Sequence, residues 1–365
     1  MTLIVFFAKI RMHSQRSKAM SQQVQDDCFI RYQTMPSQDS INCFMATLEC
    51  FAQRNQLTDD LSLAHFEHEF YLKNSESNDF ISVHSKFGID TAWACVDSLE
   101  MMNDRVVERI RARCGVAISL EMVFDCEGLI QRLHAMNDHA VCIFDPFYLP
   151  RSINFGVKHS LSVCIVNGYD PEQGVFGLIE RKNGQSFVSL DAMRESTKHF
   201  IRSRGSCHIF HLAKVKRVVS PDNIDIRSDL ERIIKHFYSK DNDTGLQALK
   251  RFPKRYAELL AFEKPFIIPW AERCFGERYG NARFLQKLLN EKHPMVSEEH
   301  HRCCELIELY QELGGLWRSF EVFHIYSVTH NNPTILQRNL PLLENIINNE
   351  NRCLQVLEKL LTSLR

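Results

Sequence analysis

An α+β unit followed by an all-helical one is the fold class the sequence predicts. Three observations point to it: helical apolar spacing between residues 42 and 113, short runs of branched residues between 116 and 215, and amphipathic helical patterns alone after Pro221. Helices first and strands afterwards argue against an alternating parallel sheet.

Taking the elements in order, the run NCFMATLECFAQRN places Phe44, Leu48, Phe51 and Ala52 on one helical face, with Asn42 suited to the N-cap. Thr58-Asp59-Asp60 opens a second helical pattern through Leu61, Phe66, Phe70 and Tyr71. A third helix is expected between Asp97 and Arg113, ended at Cys114-Gly115 because glycine accepts the left-handed C-cap conformation. VAISLE (116–121) and HAVCIFD (139–145) read as strands, with the helix-like CEGLIQRLHAM between them. HSLSVCIVNGYD and VFGLIE flank the turn at 168–174 and form the clearest hairpin, and a further strand is expected from Cys207 to Val215. Beyond 220–222 the strand signal disappears, and Leu230, Ile233, Ile234 and Phe237 begin a series of amphipathic helices. Leu336, Leu340, Leu343, Ile347, Leu354, Leu357 and Leu361 suggest one long final helix. Its stripe reads first as an internal packing face and second as the seam of a homodimer. The expected division is a tail over 1–25, an α+β domain over 26–219 and a helical domain over 220–365.

A chain of 365 residues with 44% hydrophobic and 24% charged residues is long and apolar enough for two cores. Its formal net charge of -1 supplies no global field toward nucleic acid or an anionic membrane, so neither is expected as a partner. Thirteen scattered cysteines do not form a disulfide framework and suit a reducing compartment. The apolar stretch Leu3–Ala8 precedes its basic residues instead of following them, the reverse of a secretory signal. No run approaches the ~20 apolar residues of a membrane span. A cytoplasmic location is the expectation.

A reactive thiol needs a lowered pKa, and the unpaired N–H groups at a helix N-terminus stabilise a thiolate. Cys43 occupies such a position, and upstream Gln38 could join the Cys43 backbone N–H as an oxyanion hole. The matching base would be a histidine delivered by the sheet; His159, at the head of the hairpin, is the candidate. Glu180, ending VFGLIE, is preferred as the orienting acid, while Asp170 reads as an ordinary turn residue.

The succession of SINCFMATLECFAQR, VCIFDPFYLP, KHSLSVCIVNGYD and GLIERKNGQSFVSLDAM resembles the butirosin-biosynthesis H-type acyltransferases and related proteins of peptide-antibiotic clusters, over roughly residues 26–215. These look like relatives of papain-like leader peptidases. The segments TGLQALKRF, YGNARFLQKLL and ENRCLQVLEKLL also resemble the helical domain that follows in that family. The resemblance implies a papain-like cysteine protease fold. It also implies transfer of an acyl or aminoacyl group from the phosphopantetheine thioester of an acyl or peptidyl carrier protein to a small-molecule amine, in specialised metabolism, with no other cofactor. Cys43 then matches the nucleophile, His159 the base and Glu180 the acid, where the family more often has Asp. Asp145 matches a family position in FDPFYLP, and Asn42, Tyr148, Ser162 and Asp170 are further candidates for lining the site. The interval from His159 to Gly168-Tyr169-Asp170 is longer than usual, which leaves Ser162 as the alternative occupant of the family's base position, and with Ser162 there the site lacks its base. Two alternatives stand beside this reading: a catalytically degenerate scaffold protein, and a cysteine peptidase.

Other signals are weaker. The pairs His300/Cys304, His65/His68 and Cys207/His211 each supply two ligands where a metal site needs three or four, and no metal is expected. No phosphate loop or dinucleotide fingerprint is present. Lys250-Arg251-Phe252-Pro253-Lys254-Arg255 reads as a solvated helix face ahead of a patch that steers an acidic carrier.

Overall fold

The computed structural model describes residues 43–57, 61–64, 66, 68, 70–74, 81–84, 105–135, 140–150, 152, 155–156, 162–180, 184–261, 271–329, 332, 334 and 337–364. Its class is α+β. A six-stranded antiparallel sheet has the order β3-β8-β4-β5-β6-β7, with β3 at Val116–Val123, β4 at Ala140–Phe144, β5 at Ser162–Asp170, β6 at Val175–Glu180, β7 at Gly184–Ser189 and β8 at Cys207–Lys214. A separate antiparallel ribbon pairs β1 (Tyr71–Asn74) with β2 (Ile81–His84).

Helix α1 (Cys43–Arg54) comes first, and α2 (Arg105–Arg109) runs on as a π turn to Cys114, capped by Gly115 at φ 71 as its sequence position suggests. Helices α3 (Cys126–Ala135) and α4 (Leu190–Arg204) belong to the sheet unit. Helices α5 (Ile226–Phe237), α6 (Gly245–Ala261), α7 (Ala271–Asn290), α8 (Pro294–Glu298), α9 (His300–Thr329) and α10 (Asn339–Ser363) follow.

Three layers result, and the register assigns side chains to them. On one face the His134 ring of α3 stacks on Tyr169 and Phe176, with centroids 4.0 and 5.3 Å apart. The Cys207 thiol donates to the Thr197 carbonyl of α4 on that same face. Cys142, Cys164 and Glu180 are direct cross-strand partners, so they share one face, and Glu180 lies two and four residues from Leu178 and Phe176 on the same side. The opposite face carries Val141, Ile143, Val163, Ile165 and Ile179, all buried, and α1 packs there on β4 and β5. Every residue of α1 from Met45 to Ala52 is buried, and Arg283 of α7 reaches its Glu49 at 2.9 Å.

The second expected helix does not extend through residue 71. Leu61–Ala64 is a single 3-10 turn, and beyond it Phe66, His68, Phe70 and Leu72 are buried at every second position. That strand period is present in the sequence beside the helical spacing, and the surroundings decide between them. Gly245 N–H donates to Phe70 O at 2.7 Å, Leu72 N–H to Asp243 O at 2.9 Å, and Arg232 to Phe66 O at 2.8 Å. An extended segment threaded between helices finds backbone partners there that a helix would have to forgo. Strand β7 and helix α4 were not expected from the sequence. The caps of α4 were nevertheless legible: Ser189 accepts from Ala192 N–H and Gly205 closes the helix at φ 85.

A continuous core contains Leu48, Val141 and Phe176 as well as Ile226, Leu285, Leu306 and Leu357, so apolar packing crosses the expected division at 219/220. The final helix begins at Asn339, and Leu343, Leu354, Leu357 and Leu361 of its stripe are buried within the chain; Leu336 lies outside the described residues.

At the junction sits a buried charged network. Glu350 accepts from Arg278 Nε at 3.0 Å, from Trp317 Nε1 at 2.9 Å and from His68 Nε2, and Arg278 also pairs with Glu277. His68 Nδ1 lies 3.1 Å from the Tyr310 hydroxyl, which fits a neutral ring donating through Nε2 and accepting at Nδ1. Burial and the Arg278 charge keep His68 neutral by lowering its pKa, against the pull of Glu350. Burial alone would raise the Glu350 pKa, but Arg278 and His68 outweigh it and the carboxyl stays ionised.

Two outcomes are expected. Glu350→Gln leaves Arg278 under-compensated and is expected to cost about 3–5 kcal/mol in urea unfolding, the usual penalty for breaking a buried pair from one side. His208, pushed down from 6.5 to about 4 by burial, is neutral in the fold and protonates more readily unfolded. Stability is therefore expected to decline as pH falls from 6.5 toward 4, His68 acting in the same direction, and His208→Asn is expected to flatten urea midpoints measured across that window.

Candidate functional site

The direction of α1 follows from what its two ends meet. Gln56 and Leu57, leaving its C-terminus, line a cleft together with Lys214 and Val215 at the end of β8. Strand β4 is antiparallel to both β8 and β5, so the end of β8 and the start of β5 lie at opposite ends of the sheet. The N-terminus of α1 therefore points to the end where β4 stops, β5 starts and β6 stops. The Thr47 hydroxyl, one turn after Cys43, donates to Val163 O at 3.4 Å in agreement. Cys43 is the first residue of α1, where the helix presents its unpaired N–H groups.

Among the sequence candidates, the Cys43 side chain, Gln38, Asn42 and His159 lie outside the described residues. Asp145, Tyr148, Ser162 and Glu180 come to the same end of the sheet as the start of α1. The register divides them by face. Ser162 pairs with Phe144 and lies two residues from Cys164, so Ser162 and Glu180 share the face covered by α3 and α4. Helix α1 covers the other face. Glu180 is 4% exposed and does not face the helix that carries Cys43. Asp170 sits at the hairpin turn, its carboxylate accepting from Glu172 N–H at 2.9 Å and Gln173 N–H at 3.1 Å, which is the work of a turn residue.

Asp145 is held more tightly than its sequence suggests. It is 2% exposed; Oδ1 accepts from Phe147 N–H at 3.0 Å and Oδ2 meets His199 Nδ1 at 2.7 Å. The Ser196 hydroxyl accepts from the Asp145 N–H at 2.9 Å and donates to its carbonyl at 3.1 Å. The Tyr148 ring lies 5.9 Å from that of His199. A buried carboxylate that fixes one imidazole nitrogen also fixes the orientation of the ring. His199 escaped the sequence reading because it belongs to an unexpected helix 54 positions away, and no local spacing links the two.

The buried thiols make poor nucleophiles. Burial pushes Cys50, helped by Glu49, and likewise Cys207 and Cys303 up to about 12, and raises Cys142 as well. The paired-ligand signals resolve into ordinary contacts: His211 bonds Glu121 at 2.9 Å, Cys304 lies 3.6 Å from His300 Nδ1, and His68 belongs to the Glu350 network. Among the described residues no group of three or more His, Cys, Asp or Glu could hold a metal ion. In the 250–255 run, Arg251 pairs with Asp243 at 2.8 Å and Arg255 with Glu258 at 3.1 Å, so part of that charge is already matched. No described helix is long and apolar enough to cross a membrane.

The chain matches no protein-family profile and no curated protein sequence.

Asp145→Ala removes both a turn-capping acceptor and the partner of His199, and is expected to lower stability by about 1–3 kcal/mol in urea unfolding.

Proposed function

We propose that this chain is a papain-like, cysteine-dependent acyl-transfer protein with Cys43 as nucleophile, acting on a carrier-bound thioester with a small amine as acceptor. The observation that carries the reading is the direction of α1. Its N-terminus, and hence Cys43, lies at the end of the sheet where β5 begins, and His159 precedes that strand by only three residues, about 10 Å of fully extended chain. Ser162 and Glu180 fall on the face of the sheet opposite α1. That favours His159 as base and a Cys–His pair without Glu180.

In this reading the Cys43 thiolate attacks the thioester carbonyl, and the oxyanion rests on the Cys43 N–H and Gln38. The pantetheine thiolate leaves and is protonated by the imidazolium of His159. The amine then attacks the acyl-enzyme, His159 takes its proton, and the Cys43 thiolate is released. Exchange between thioesters is nearly balanced in energy, so orientation and exclusion of water account for most of the rate.

A second reading, a degenerate scaffold that keeps the fold, is favoured by the placement of Glu180 on the face away from α1, and gains further if Ser162 and not His159 occupies the family's base position. One experiment separates the two. Incubated with an acyl-loaded carrier protein, the chain is expected to gain one acyl mass on Cys43 by intact mass spectrometry. Cys43→Ala is expected to gain none, and His159→Gln to acylate at least ~100-fold more slowly, the usual contribution of a positioned base. Absence of any adduct on the parent chain would favour the scaffold.

A further inference from the structure

The cleft at the far end of α1 carries an unmatched concentration of positive charge. It measures about 420 Å³ and is lined by Lys214, Lys216 and Arg217, with Gln56 and Leu57 at the exit of α1 and Gly115 behind them. No carboxylate lines it, and among the described residues none of its three cations has an ion-pair partner. Several exposed arginines elsewhere are matched: Arg227 with Glu231 at 3.1 Å, Arg251 with Asp243 at 2.8 Å, Arg352 with Glu305 at 3.7 Å.

The wall bearing these charges is fixed by backbone. Val215 N–H donates to Gly115 O at 2.9 Å, and Val218 and Val219 N–H both donate to Ala112 O at 3.0 Å. Gly115 has φ 71, and a Cβ there would stand 2.9 Å from Val215 O, so the strand end and the π turn meet at a distance only glycine permits. Three like charges held together on a rigid wall repel one another. The C-terminal dipole of α1 supplies only about half a negative charge, which leaves most of the cationic surplus uncompensated.

We propose that this cleft is a binding site for a small anion bearing phosphate groups, of the diphosphate or phosphomonoester class. The three cations would engage its oxygens, the Gln56 amide would donate a further hydrogen bond, and Leu57 would meet an attached organic group. The volume falls within the ~300–1,000 Å³ of small-molecule sites. The site is independent of the acyl-transfer reading, because it lies at the opposite end of the sheet from Cys43.

Titration calorimetry of the full chain with inorganic pyrophosphate at low, constant ionic strength tests it. The expected result is saturable binding of one equivalent, weakened at least ~10-fold in Lys216→Gln/Arg217→Gln, the loss of about one charge-assisted hydrogen bond. The same titration is expected to be unchanged in Lys250→Gln/Lys254→Gln on α6, two exposed cations outside the cleft. If the double variant loses the parent's cooperative unfolding, Lys214→Gln at the exposed strand end takes its place, with weakening again expected. No saturable binding by the parent chain, or equal affinity in the cleft variant, would overturn the proposal.

Discussion

Glu350 has no solvent to satisfy it, so the helical layer must bring it donors: Arg278 from α7, Trp317 from α9, and His68 from a segment that belongs in sequence to the other half. An ionised carboxylate in such a place is tolerated only with its partners in position. The network therefore ties residue 68 to three helices contributed by the last hundred residues. Phe66, stacked on Phe284 with centroids 4.7 Å apart, and Phe70, in contact with Trp317 at 5.7 Å, surround this polar centre with apolar area. The consequence reaches α1. Helix α7 packs on the Leu61–Ala64 turn and its Arg283 reaches Glu49 of α1, while α1 packs on β4 and β5.

Helix α1 reaches opposite ends of the sheet with its two ends. Its N-terminus delivers Cys43 and a positive helix end to the place where β4, β5 and β6 meet, a location suited to a thiolate. Its C-terminus delivers Gln56 and Leu57 to the cationic cleft about 18 Å away along the axis, given 1.5 Å of rise per residue. A helix buried on all sides cannot slide without opening the core, so the two ends are mechanically fixed relative to the sheet. The buried thiols point to the same economy of function: Cys50, Cys142 and Cys207 act as small apolar side chains whose ionisation burial suppresses.

Two polar constellations near the proposed site were treated differently by the fold. Asp145 and His199 form a rigid pair on the face covered by α4, with Ser196 holding the Asp145 backbone. Glu180 is buried on that face also, so the carboxylates of the β4–β6 end are concentrated away from α1. Such an arrangement suits a structural role for these acids.

The sequence by itself determined the α+β class, the start of α1 at Cys43, the β5–β6 hairpin, the glycine stop at 115 and the succession of helices after 220. Each rests on local chemistry: helical spacing, a turn residue, or a backbone conformation that glycine accepts. Tertiary structure alone decided that Phe66, His68, Phe70 and Leu72 alternate into the core, because their alternation and their helical spacing were both present and only the donors of α5 and α6 break the tie. It also decided the face of Glu180, since the phase of a strand relative to a helix on its surface depends on pairing register and not on residue type. The pairing of His199 with Asp145, and of His68 with Glu350, lay beyond local reading for the same reason: partners 54 and 282 positions apart are joined by packing, and no short-range pattern encodes which distant backbone will arrive beside them.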